Sequence, residues 1–184
     1  MLTAASVPFE TVSSGMDEET AKEELKRQGL NALAIAEGLA ERKALAAAPA
    51  GAGTLILGSD QTLERADGTM FDKPASREEA QDQLRSLSGR MHRLHSAASI
   101  AEDKETVWRA SQTVELVMRP LSEPFLAAYL DAEYEHIRWS VGGYRIEGPG
   151  VQLFERIQGS HFAILGLPLL PLLAYLRDRK VVPS

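Results

Sequence analysis

The sequence predicts a single α/β domain, residues 1–184, in which a mixed, twisted sheet is flanked by helices. Two observations predict this class. Segments with helical spacing of apolar residues alternate along the chain with runs of apolar β-formers. The 184 residues, of which 44% are hydrophobic, are enough to bury one substantial core but not two independent ones.

The first part of the chain is expected to hold one short strand and two helices. An extended stretch after a Val-Pro pair predicts a strand over residues 9–12. Helical spacing predicts helices over residues 17–28 and 31–48, and Pro49 ends the second of them.

The next segment predicts a buried strand followed by a short hairpin. Residues 54–58 are nearly all apolar, which suits a central strand covered on both faces, and Asp60 follows at its end. A turn signal farther on predicts that residues 62–63 and 70–71 form a hairpin. This hairpin is expected to bring Asp60 and Lys73 close together.

The remainder is expected to be helices and strands around a glycine-rich loop. Ser76-Arg77-Glu78-Glu79 is a capping box, which predicts a helix start. In order, we expect a helix over 76–87, strands over 92–101 and 106–118, a helix over 122–132, a glycine loop over 142–150, a strand or short helix over 151–157, and a closing helix over 169–179.

Composition excludes several function classes. The formal net charge of −6 argues against binding to a nucleic acid polymer, which requires a basic surface. There is no cysteine, so a metal site would need oxygen or imidazole ligands. The longest apolar run, residues 162–176, is too short to span a bilayer. We therefore expect a soluble, cytoplasmic protein without a membrane partner.

Asp60 is the first candidate for chemistry. A carboxylate delivered to a strand end can bind a metal or do acid/base work, although it can equally cap the next turn. Lys73 offers a point charge for a phosphate, and the alternative is a solvated surface lysine. His92 and His95 lie three residues apart on a predicted strand and point to opposite faces, so we do not expect them to share a metal.

Four segments together resemble the Maf family of nucleoside triphosphate pyrophosphatases. They are residues 55–63 (LILGSDQTL), 71–74 (FDKP), 87–96 (LSGRMHRLHS) and 140–148 (SVGGYRIEG). The resemblance implies a fold like that of the Maf and inosine triphosphatase superfamily, with two lobes around a cleft, and a homodimer. It implies hydrolysis of a nucleoside triphosphate to a monophosphate and pyrophosphate, with Mg²⁺ or Mn²⁺ bridging the substrate and carboxylates.

The resemblance also implies roles for individual residues. Asp60 would activate water or bind metal, and Asp17 would be a second metal ligand, unless it only serves a helix N-terminus. Arg90 would contact phosphate, or else satisfy carbonyls at a helix end. The full implied set of substrate-binding residues is Lys43, Lys73, Ser88, Gly89, Arg90, Ser96, Tyr144 and Glu147.

The base is expected to meet Tyr144 and Glu147. Tyrosine can pack on a base, and a carboxylate offers only acceptors, so Glu147 suits the donors on the edge of guanine. The pair Asp60-Gln61 with Glu147-Gly148 resembles the branch of the family that acts on 7-methylated GTP, whereas residues 88–92 look like the general pattern.

The resemblance does not extend to the start of the family pattern. Maf proteins open with a strand and a serine- and arginine-rich phosphate loop, whereas residues 5–10 here resemble a later segment. We expect either a start inside a longer gene product or a shortened homologue with weak or no activity. The alternative function is a non-catalytic nucleotide-binding or interaction protein derived from the same fold.

Overall fold

The computed structural model describes residues 1–49 and 53–183, which fold into helices packed on both faces of one sheet. The predicted α/β class is confirmed. In chain order the elements are α1 (Glu18–Arg27), α2 (Ala32–Ala47), β1 (Ile56–Arg65), β2 (Met70–Phe71), α3 (Arg77–Leu87), β3 (Met91–Glu102), β4 (Glu105–Met118), α4 (Glu123–Ile137), β5 (Phe154–Gln158), α5 (His161–Ile164) and α6 (Leu169–Asp178). Short 3-10 helices cover Thr3–Ala5 and Pro149–Leu153.

The five strands form one sheet in the order β2-β1-β3-β4-β5. All four strand pairs in the described part of the chain are antiparallel, so the mixed strand directions that we expected are not present there. For two of the pairs the reason is local, because short turns join β1 to β2 and β3 to β4, and such turns reverse the chain. The predicted hairpin is confirmed by the pairing of Leu63 with Phe71.

Three expectations about element bounds were wrong. Residues 9–12 form no strand, and Phe9 and Val12 are both exposed. Strand β1 continues to Arg65 because β3 pairs with all ten of its residues, so Asp60 lies in the middle of a strand and not at its end. Helix α4 runs to Ile137, which is itself fully buried.

Helix α2 covers one face of the sheet. Its alanines pack on alanines of β3, as in the cluster of Ala36, Ala40 and Ala97. Small side chains on both elements let the helix backbone approach the strands closely. The same tight contact continues at Ala44 and Ala101.

Two groups of helices cover the opposite face of the sheet. Toward β2, side chains such as Leu63 and Leu94 join a core with α3 and α4. At the other end, Ala98 and Ile100 pack against α6. Alternate residues of β3 therefore face alternate layers, as the pleat of a strand requires. Within residues 1–49 and 53–183, no helix is both long and apolar enough to cross a membrane.

The segment after α4 is tied to this core through Tyr144. Its hydroxyl lies 2.8 Å from Nε2 of His92 on β3, and its ring meets the edge of Phe154 with the centroids 4.9 Å apart. Burial lowers the pKa of His92 to about 4. The imidazole is therefore neutral near pH 7, and it connects the sheet to the glycine-rich loop.

We predict that His92 makes folding stability depend on pH. The pKa of His92 falls from 6.5 to about 4 on folding. Between these two pKa values the imidazole is protonated in the unfolded chain and neutral in the folded one. The unfolding free energy is therefore unaffected by protonation of His92 above pH 6.5, and it decreases as the pH falls towards about 4. In His92→Gln the loss of unfolding free energy across that range should be about 3 kcal/mol smaller than in the wild type.

Urea denaturation at several pH values measures this effect. The His136→Gln variant, altered at an exposed position on α4, controls for removal of an imidazole. Parallel stability curves for wild type and His92→Gln would show that His92 contributes no pH dependence.

Candidate active site

A cavity of about 660 Å³ runs along the outer edge of β1, and we call it the β1 cavity. Ser59, Asp60 and Gln61 all line it. Because consecutive strand side chains point to opposite faces, three consecutive lining residues show that the cavity follows the strand edge. Among the described strands, β2 is the outer neighbour of β1, and it pairs only with Leu63 and Glu64.

Five other segments complete most of the walls of the β1 cavity. They come from α1, from α2, from the connection between β2 and α3, and from the segments after α4 and α5. The lining residues on these walls include Glu18, Lys22, Lys26, Lys43, Asp72, Lys73, Trp139, Tyr144, Arg145, Glu147 and Ile164. One side of the cavity is therefore strongly charged, and the segment after α4 contributes aromatic and apolar surface.

Asp60 and Glu18 share the ammonium group of Lys43. Nζ of Lys43 lies 2.5 Å from Oδ1 of Asp60 and 2.8 Å from Oε2 of Glu18. The side chain of Asp60 is only 9% exposed, so this ion pair is largely removed from water. An unpaired carboxylate at such depth would be costly, and Lys43 compensates its charge.

The three groups differ in their affinity for protons. Burial raises the pKa of Asp60, with a further contribution from the negative charge of Glu18, while Lys43 opposes the shift. Burial also raises the pKa of Glu18, but the hydrogen bond from Lys43 and its positive charge act against burial, and the pKa of Glu18 is lowered overall. The pKa of Lys43 is raised, because the two carboxylates outweigh its burial. Asp60 is thus the better proton acceptor, and Glu18 remains ionised.

A glycine sets the distance between Lys43 and Asp60. Gly58 faces α2 so closely that a Cβ atom there would lie 2.2 Å from the backbone oxygen of Ala40 and 2.6 Å from the backbone nitrogen of Ala44. The absence of a side chain lets α2 lie directly on β1. Lys43, one residue before Ala44, then reaches Asp60, two residues after Gly58.

Three further lysines stand around this cluster. Lys22 of α1 bonds to Asp72, and Nζ of Lys26 lies 3.6 Å from the other oxygen of the same carboxylate. Nζ of Lys73 lies 3.9 Å from Oε1 of Glu18, and its side chain is 54% exposed. The β1 cavity therefore concentrates ammonium groups where a polyanion can be bound.

The third lining residue of β1, Gln61, connects the sheet to α5. Its Nε2 donates to Oγ of Ser96 and to the carbonyl oxygen of Ala163, both at 2.8 Å. The hydroxyl of Ser96 also donates to Ala163, at 2.5 Å. Ser96 is fully buried, so it supports the wall of the β1 cavity from behind Gln61.

The family model described as "Maf-like protein" matches residues 1–179. The chain belongs to the Maf-like family. A nucleoside triphosphate pyrophosphatase of Sphingopyxis alaskensis is 45% identical over 184 residues, which are 100% of this chain and 93% of the relative. A protein of Rhizobium meliloti named 7-methyl-GTP pyrophosphatase is 43% identical over 179 residues, covering 97% of this chain and 89% of the relative.

In this Maf-like chain, some of the predicted site residues come together and others lie elsewhere. Lys43, Asp60, Lys73, Tyr144 and Glu147 all line the β1 cavity, as the resemblance implies. Their roles in binding or catalysis stay predictions.

The end of α3 lies away from the β1 cavity. Ser88 accepts a hydrogen bond of 2.8 Å from the backbone of Leu121, Gly89 adopts a left-handed φ of +68°, and Arg90 is exposed. None of the three lines the cavity. In the structure, Ser88 and Gly89 therefore end helix α3 and lead into strand β3.

Asp17 also stands apart from Asp60. It caps α1 by accepting from the backbone nitrogen and the hydroxyl of Thr20, at 3.1 Å and 2.7 Å. The structure brings the next residue, Glu18, to Lys43 in its place. Sequence reasoning missed Glu18, Lys22 and Lys26, although their spacing of four residues places all three on one side of α1.

The acidic residues fit a metal that is shared with a substrate. In the described residues no group of three or more acidic or histidine side chains is placed to hold an ion on its own. Asp60 and Glu18 do converge on one positive charge, the ammonium group of Lys43. One or two carboxylates, completed by substrate phosphates and water, are the usual protein ligands of Mg²⁺.

We predict that Gly58→Ala loosens the contact between α2 and β1. The added methyl group would clash with backbone atoms, which cannot rotate away. The variant should lose about 1–3 kcal/mol of unfolding free energy in urea denaturation. Gly38→Ala, in α2, is the matched control, since its Cβ would meet only the flexible side chain of Leu25 in α1, at 3.0 Å. Equal stability of the two variants would contradict a tight contact at Gly58.

Proposed function

We propose that this chain hydrolyses a nucleoside triphosphate to a nucleoside monophosphate and pyrophosphate. The observation that carries the proposal is the largely buried Asp60, paired with Lys43 at the wall of a cavity that also gathers Glu18 and Lys73. A volume of about 660 Å³ suits a ligand of nucleotide size. The names of the relatives from Sphingopyxis alaskensis and Rhizobium meliloti support the same reaction class.

Asp60 acts as the base in this proposal. A water molecule beside Asp60 attacks the α-phosphorus, while a proton of that water passes to the Asp60 carboxylate. The new bond joins the water oxygen to the α-phosphorus, and the bond from that phosphorus to the oxygen bridging to the β-phosphate breaks. Pyrophosphate leaves with the bonding electrons.

The lysines neutralise the charge that the triphosphate brings. Lys43 and Lys73 approach different oxygens of Glu18, and both can reach phosphate oxygens at the wall of β1. Lys22 and Lys26 of α1 add two more ammonium groups, which are paired with Asp72 until a ligand competes for them. Such fixed charges stabilise phosphoryl transfer chiefly by positioning and electrostatics.

We propose that the reaction requires Mg²⁺ or Mn²⁺. Asp60 and Glu18 would hold the ion together with substrate oxygens. The ion would supply neutralisation of the charge that develops on the phosphates. Glu18 suits this role because its pKa is lowered, so its carboxylate is ionised.

The homodimer and the cytoplasmic location are proposals that rest on the sequence. Dimerisation is implied by the family resemblance, and sedimentation equilibrium of the purified chain measures it. A mass of one chain, 20.1 kDa, at micromolar concentration would contradict the dimer.

We predict that Asp60→Asn lowers pyrophosphate release by at least about 100-fold, because the amide cannot accept the proton. The assay follows pyrophosphate from GTP, 7-methyl-GTP and UTP with Mg²⁺ or Mn²⁺, and a chelator should abolish the wild-type signal. Asp82→Asn, at an exposed position of α3, is the matched control and should retain activity. Nucleotide that stabilises the folded protein against heat without being consumed would favour a non-catalytic binding protein.

A further inference from the structure

Trp139 stands out on the wall of the β1 cavity. Its side chain is 70% exposed, more than any other large apolar residue in the described part of the chain. It lies two residues beyond the end of α4 and lines the cavity. An indole offers a large flat surface whose burial by a ligand is favourable.

The guanidinium group of the preceding residue lies over this exposed ring. The guanidinium carbon of Arg138 lies 5.0 Å from the centroid of the Trp139 ring and 5.9 Å from that of Tyr134. Nη1 of Arg138 donates to Oε2 of Glu135 at 3.2 Å, which anchors the guanidinium group. Exposed contacts of this kind contribute little free energy, so they bias the position of the ring without fixing it.

Tyr144, the other aromatic residue lining the β1 cavity, is poorly placed for stacking. It is only 4% exposed, and its ring packs against His92 and Phe154 in the core. Its hydroxyl is already bonded to His92. Of the two aromatic residues on the cavity wall, Trp139 is therefore the one with a ring surface available to a base.

Trp139 and the lysines line the β1 cavity from different elements. Trp139 and Glu147 both belong to the segment between α4 and β5, whereas Lys22, Lys43 and Lys73 come from other elements. A nucleotide has the same division, with an anionic tail and a flat, uncharged or cationic base. The lysines of the β1 cavity suit the anionic tail of such a ligand, and Trp139 suits its base.

We propose that Trp139 is the stacking platform for the base of the substrate, and that this base is a purine. This inference rests on the proposed function, which supplies a nucleoside triphosphate as the ligand. A purine covers more of an indole than a pyrimidine does.

The fluorescence of Trp139 tests stacking directly. The chain has two tryptophans, and Trp108 stacks on Tyr175 in a separate cluster, with the ring centroids 5.4 Å apart. In Trp108→Phe the only indole left is Trp139. With a chelator present, added GTP should quench this emission in a saturable way, and UTP should need higher concentrations. No quenching by either nucleotide would overturn the proposal.

Steady-state kinetics supply a second readout. Trp139→Ala should raise the KM for GTP about 10-fold or more while changing kcat less, and Trp139→Phe should recover part of the loss. Trp108→Phe is the matched control and should keep the wild-type KM. An unchanged KM in Trp139→Ala would overturn the proposal. So would emission of Trp139 that changes with protein concentration alone, because the ring would then lie between two copies of the chain.

These outcomes separate the inference from the proposed function. If the wild-type chain releases no pyrophosphate but GTP still quenches Trp139, the base platform is supported and the hydrolase is not. If pyrophosphate is released and Trp139→Ala behaves as the wild type, the hydrolase is supported and the platform is overturned.

Discussion

The pairing of Asp60 with Lys43 is the contact on which the candidate site depends. A carboxylate in the middle of a strand and only 9% exposed requires a partner, and the partner must come from the helix that covers that face. Helix α2 reaches it because Gly58 removes the side chain that would hold the helix away. The alanines of α2 and β3 continue the same close packing along the sheet. The geometry of the ion pair is thus a consequence of small residues several positions away.

Much of the site could be predicted because it lies on locally encoded elements. The apolar run before Asp60 identifies the strand, and the capping residues of α1, α2 and α3 mark their starts as the structure has them. Lys43 and Lys73 were found through short motifs, and both line the β1 cavity. A local sequence pattern is informative where a residue meets a need of its own element, as a capping residue does at the start of a helix.

The remaining features depend on partners distant in the sequence. The length of β1 is set by β3, so no pattern within residues 54–58 reveals that Asp60 is in mid-strand. Tyr144 looks like a ligand-contacting residue in a glycine loop until His92, 52 positions earlier, is seen to bind its hydroxyl in the core. Choosing between Asp17 and Glu18 requires the rotation of α1 about its axis, which the contact of Ala21 and Leu25 with Ile35 and Leu39 decides.

The carboxylates that surround the lysines have a second effect. Four ammonium groups on neighbouring walls repel one another, and Glu18, Asp60 and Asp72 hold them together by providing opposite charge. A triphosphate entering the β1 cavity would compete with these same carboxylates for the same lysines. Its affinity is then governed by the difference between two sets of ion pairs, so adding lysines to this wall need not tighten binding. Neutralising Asp72, by contrast, would release Lys22 for the ligand and leave Lys26 paired with Glu23 alone.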